Sequence, residues 1–97
     1  MQTTPVGLAL TRTVYSSLSS SQELALHEKT GFIRCYATTK DVYLRWGNQD
    51  CNSSTFDEVI PAGQIVDLVV PSIDGARIDY VNFIERAASA ALVVIEK

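Results

Sequence analysis

Apolar and polar residues alternate with a period of two through most of the chain, the pattern of half-buried strands. Leu10 to Tyr15 sets Leu10, Arg12 and Val14 against Thr11, Thr13 and Tyr15 and predicts a first strand. Ser16 to Ser21 holds five serines around Leu18 and predicts a flexible connection. Gln22 to His27 predicts a short strand with Leu24 and Leu26 on one face, a helical turn being the alternative. In the next run Phe32, Arg34 and Tyr36 alternate with Ile33, Cys35 and Ala37. After Thr38-Thr39-Lys40, Val42, Leu44 and Trp46 face one way and Tyr43 and Arg45 the other. The short connection between these two runs predicts an antiparallel hairpin.

Gly47 to Thr55 lacks aliphatic residues and reads as a polar loop. Phe56 to Ile60 is a short strand stopped by Pro61-Ala62-Gly63. Gln64 to Val70 follows, ended by Pro71, with a further turn at Asp74-Gly75. Arg77 to Glu85 and Ser89 to Glu96 are the last two strands expected. Glu85 to Ala91 is rich in helix formers, but the β-branched run that follows favours a turn and then a strand. Residues 1–9 have no period and carry Pro5 and Gly7, so they read as an arm. The expectation is an all-β chain, with an N-terminal arm over 1–9 and one domain over 10–97. That domain is a small antiparallel β-sandwich, jelly-roll-like, of seven to eight strands.

Two strands are apolar on both faces. Val66, Leu68 and Val70 oppose Ile65 and Val69, and Leu92 and Val94 oppose Val93 and Ile95. A two-layer sandwich needs one apolar face per sheet, so the excess predicts burial against other copies or a larger assembly.

Composition narrows the classes. The 97 residues are 46% hydrophobic and 20% charged, a globular balance for one domain. Val, Ile and Thr supply 25 of them, in keeping with strands. No apolar run approaches the roughly 20 residues of a membrane span, and Met1 to Pro5 lacks the start of a secretory signal. A net charge of −3 disfavours a general phosphate-backbone binder.

Chemistry is sparse. The single histidine, His27, sits beside Glu28 and Lys29 before Gly31, where a surface role is expected over catalysis. One His and two unspaced Cys do not make a zinc site. Asn48, Asp50 and Asn52 alternate as calcium ligands do, but equally as residues of a solvated turn, which is the reading preferred. Cys35 reads as a core side chain and Cys51 as a loop residue; two free thiols are expected, a bridge between them being the alternative. The five glycines stand at isolated turns, so no phosphate loop is present. No cofactor, metal, nucleic acid or membrane partner is expected. Arg34, Tyr36, Tyr43 and Arg45 would interleave across the hairpin as in a single-strand binder. The acidic balance turns them into exposed-face or interface residues instead. Trp46, on the apolar face, is expected in the core rather than on a carbohydrate platform with Tyr43.

The order of motifs resembles a known class. Phe32-Ile33-Arg34-Cys35-Tyr36-Ala37 is followed by Asp41-Val42-Tyr43-Leu44-Arg45-Trp46-Gly47 and a polar loop. Ile60-Pro61-Ala62-Gly63, Arg77-Ile78-Asp79-Tyr80-Val81 and Ala90-Ala91-Leu92-Val93-Val94-Ile95-Glu96 complete it. Over residues 31 to 96 this is similar to small β-sandwich virion proteins of tailed bacteriophages. The resemblance implies a structural role: a head decoration (cement) protein, or a neck or tail component, often a trimer or higher ring. It further implies the phage major capsid protein or other virion proteins as partners. Location in the virion, after synthesis in the bacterial host cytoplasm, follows from the same resemblance. A ligand-binding module of a tail or fibre, for receptor or carbohydrate, is the alternative.

Under the assembly reading, Thr3, Thr4, Pro5, Val6 and Leu8 are candidates for an arm across a neighbour. Ile65, Val69, Tyr80 and Phe83 are candidates for burial between subunits or in the core. Arg34, Tyr43 and Arg45 are candidates on exposed faces.

Overall fold

A computed structural model describes residues 11–97. The arm expected over 1–9, with Thr3, Thr4, Pro5, Val6 and Leu8, lies outside the described residues, as does Leu10. Ten strands follow: β1 (Thr11–Tyr15), β2 (Gln22–Ala25), β3 (Phe32–Ala37), β4 (Val42–Trp46), β5 (Glu58–Ile60), β6 (Ile65–Val69), β7 (Ser72–Ile73), β8 (Ala76–Arg77), β9 (Tyr80–Glu85) and β10 (Leu92–Glu96). Eight of them form two four-stranded sheets, β1-β10-β3-β6 and β2-β9-β4-β5, every pairing antiparallel. Successive strands cross from one sheet to the other except at β4 and β5, which is the jelly-roll connectivity. The small pair β7-β8 is inserted between β6 and β9. The all-β sandwich is as expected.

Alternation decides which side chains meet. Ile33, Cys35, Ala37, Leu92 and Val94 from the first sheet lie buried against Val42, Leu44, Ile60, Val81 and Phe83 from the second. Leu18 and Ala90 close one end of this core, and Leu26 and Val70 the other. Trp46 packs on the same core from its edge. Phe83 is fully buried there, so it is a core residue and not a contact between subunits.

The hairpin expected between Phe32–Ala37 and Val42–Trp46 does not form. β3 pairs with β10 and β6, and β4 with β9 and β5, so the two strands face each other across the core. The backbone of the connection shows why. Thr38 N–H donates to Ala91 O, Arg86 N–H to Asp41 O, and Gly63 N–H to Ala37 O. These bonds go to neighbouring loops, not across a turn, and each central strand gains partners on both edges.

The strand expected over 77–85 is also divided. Asp74 and Gly75 have φ of +53° and +78°, which close a two-residue turn between β7 and β8. Ile78 N–H then donates to Pro71 O and Leu26 N–H to Asp79 O, returning the chain to the second sheet at Tyr80.

Three polar residues are buried, and each has partners. Glu96 Oε1 accepts from His27 N–H and from the Thr30 hydroxyl, both at 2.8 Å, which pins the β2–β3 connection to the last strand. Asn82 donates to Gly47 O at 3.0 Å and accepts from the Ser21 hydroxyl at 3.2 Å. Ser21 Oγ accepts in turn from Cys51 N–H at 2.9 Å. These contacts lay the polar loop after β4 over the outer face of the second sheet. Among the described residues no buried side-chain polar atom lacks a partner.

Phe83→Ala removes the largest fully buried side chain. It should cost about 3–5 kcal/mol, read as a lower urea midpoint with an unchanged slope.

Candidate interaction surfaces

The outer face of the first sheet is the main exposed apolar surface. The strand register places Val14, Val93, Tyr36 and Ile65 in one row across all four strands. Two residues along lies the row Arg12, Ile95, Arg34, Asp67, and beyond it Phe32 beside Val69. Exposure is high at the margins: 59% at Val14, 64% at Ile65 and 78% at Val69. Three of the residues singled out in the sequence, Arg34, Ile65 and Val69, therefore share this face. Tyr36, read from the sequence as an exposed-face residue, belongs to it too, and so do Val14 and Asp67, which were not singled out. The signal for them was present, since each stands two residues from another outward position on its strand.

One ion pair crosses this face. Arg34 donates from Nε and Nη2 to the two oxygens of Asp67, at 2.8 and 2.9 Å. The fork-to-carboxylate geometry holds both side chains flat against the sheet. The Arg34 hydrogen bond holds the Asp67 carboxyl below its ordinary value, and Asp67 raises Arg34 in return.

The second sheet is different outside. Tyr43 lies between Ile84 and Val59, and the Phe56 ring packs on it with centroids 4.4 Å apart. Arg45, two residues on, donates to Asp50 O and Gln49 Oε1, both at 3.0 Å, and so braces its own loop. Tyr80 is exposed further along, beside Ala25. Arg34 and Tyr36 thus lie on one side of the molecule and Tyr43 and Arg45 on the other. The interleaved face expected across a hairpin is not assembled.

The loop residues are used locally. Asn52 Oδ1 accepts from Ser54 N–H at 2.8 Å, the solvated-turn reading of Asn48 to Asn52. Among the described residues no group of three or more His, Cys, Asp or Glu is placed to hold a metal ion. His27 is exposed, and its Nδ1 accepts from Lys29 N–H at 3.1 Å. Both cysteines are free and buried, Cys35 in the core and Cys51 within the loop after β4. Burial pushes the Cys35 thiol up to about 12 and the Cys51 thiol up to about 11.

At one end of the sandwich Thr39, Lys40, Asp41, Ala62, Arg86 and Ala87 line a shallow cavity of about 270 Å³. Asp41 organises it, accepting from Ala62 N–H at 2.9 Å and from Arg86 Nη1 at 3.1 Å. Those bonds, the Ala62 N–H foremost, hold the Asp41 carboxyl below its ordinary value.

No protein-family model, no curated protein and no solved structure matches the chain.

Two predictions follow from these groups. The lowered carboxyls of Asp41 and Asp67 stabilise the folded chain above the unfolded aspartate value of about 3.9, and this contribution is lost as pH falls through their folded values. Asp41→Asn should therefore flatten the acid limb of a stability-versus-pH curve while lowering stability at neutral pH, measured by urea midpoints. At pH 8 neither thiol should react with an aromatic disulfide reagent in the folded protein, and both should react in denaturant.

Proposed function

We propose that the protein is a non-enzymatic virion structural protein of a tailed bacteriophage. It acts as a head decoration protein that binds between capsomers, in more than one copy, and stabilises the shell against the major capsid protein's tendency to separate. The observation that carries this reading is the apolar row exposed across the full width of the first sheet. A lone sandwich gains nothing from an outward row of Val14, Val93, Tyr36 and Ile65, whereas a subunit of an assembly buries it. The likeness in strand order and turn chemistry over residues 31 to 96 supports the phage setting. Stabilisation would come from multivalency, each weak contact multiplied over a symmetric shell.

The test is co-sedimentation of the purified protein with heads lacking decoration. Bound protein and heads that resist heating to a higher temperature are the expected result. Heads that stay bare at high protein concentration would overturn the reading.

A second reading has one observation in its favour. Tyr43 and Phe56 form a packed aromatic pair beside a polar loop, as a carbohydrate platform of a tail or fibre would. Against it, Arg45, Gln49 and Asp50 are spent on holding the loop together. Binding in a glycan screen that Phe56→Ala abolishes would favour it.

A further inference from the structure

We infer that the outer face of the first sheet is a contact between two copies of this chain, related by a two-fold axis parallel to the strands between β10 and β3. The inference deepens the assembly reading above and rests on it. Such an axis lays one sheet on the other with strand order reversed, so that β1 faces the partner's β6 and β10 the partner's β3. The register then decides which residues meet. The apolar row falls on itself, Val14 over the partner's Ile65 and Val93 over the partner's Tyr36.

Charge selects this axis over the other in-plane choice. In the adjacent row Arg12 falls over the partner's Asp67, and Asp67 over the partner's Arg12. Sheets packed face to face lie about 10 Å apart, a gap that an arginine and an aspartate can span from opposite sides. Among the described residues Arg12 has no ion-pair partner in its own chain, while Asp67 holds Arg34 alone. The pair supplies Arg12 with a carboxylate and gives Asp67 a second cation. An axis along the apolar row would also set that row on itself, but it would put Arg12 opposite uncharged positions.

Size sets the strength. Four strands of some five residues cover roughly 300 Å², against roughly 800 Å² per partner in a stable complex. The pair is weak in dilute solution and gains where copies are held close together, as on a shell.

The experiment uses Arg12→Glu and Asp67→Lys, two exposed outer-face positions, in sedimentation equilibrium. The wild type should show a concentration-dependent monomer–dimer equilibrium. Each variant alone sets like charge against like and should raise the dissociation constant at least about tenfold. An equimolar mixture of the two should return to within about threefold of wild type, because a mixed pair regains both opposite-charge contacts. A wild type that is monomeric at about 1 mM, a wild type that is trimeric, or a mixture no tighter than its components would each overturn the inference. The two proposals fail separately. A monomer that binds heads keeps the decoration reading and sinks the two-fold contact, and a dimer that leaves heads bare does the reverse.

Discussion

The first sheet depends on β10 lying between β1 and β3. Neither of those strands touches the other: β1 takes its only ladder from the last strand, and β3 takes one of its two from it. The inward side chains of β10 serve both sheets at once. Leu92 and Val94 fill the centre of the core, and Glu96 reaches the end of it to hold His27 N–H and the Thr30 hydroxyl. A buried carboxylate with fixed donors is strongly position-specific, since an unmade bond there carries the whole cost of desolvation. A one-residue slip of β10 would turn Leu92 and Val94 outward and Val93 and Ile95 inward.

The two outer faces meet water in opposite ways. The second sheet is half covered by its own chain, through the loop that Asn82, Ser21 and Gly47 tie down. Phe56 extends that cover over Tyr43. Among the described residues the first sheet has no such loop, and Arg12 with the Arg34–Asp67 pair interrupts its apolar surface. An outward apolar row is thus left open on one side, while the other side is partly covered by its own chain.

What could be read from the residues was local. The alternation in Phe32–Ala37 and Val42–Trp46 gives both strands and the correct inward sets, because burial on one face is written in the period itself. Their pairing was not readable. Whether a four-residue connection turns within a sheet or across a core depends on Ala91, Gly63 and Arg86, which are distant in sequence. Phe83 has the same apolar chemistry as a subunit contact, and only its place opposite Leu44 and Gln22 makes it core. Cys51 is the loop residue that its polar neighbours indicate, but they gave no sign of its burial. The hint lay in Asn82, an outward amide in the apolar strand Tyr80–Glu85, which needed something to cover it.

The place of β10 has a consequence in time as well as in space. Val93 and Ile95 stand in the middle of two neighbouring rows on the outer face, and β1 has no ladder until β10 has been made. During synthesis, then, the second sheet can gather β2, β4, β5 and β9 while the first is still missing its centre. The outer face of the first sheet is completed only with the last strand, so a growing chain carries two sheets at different stages of completion.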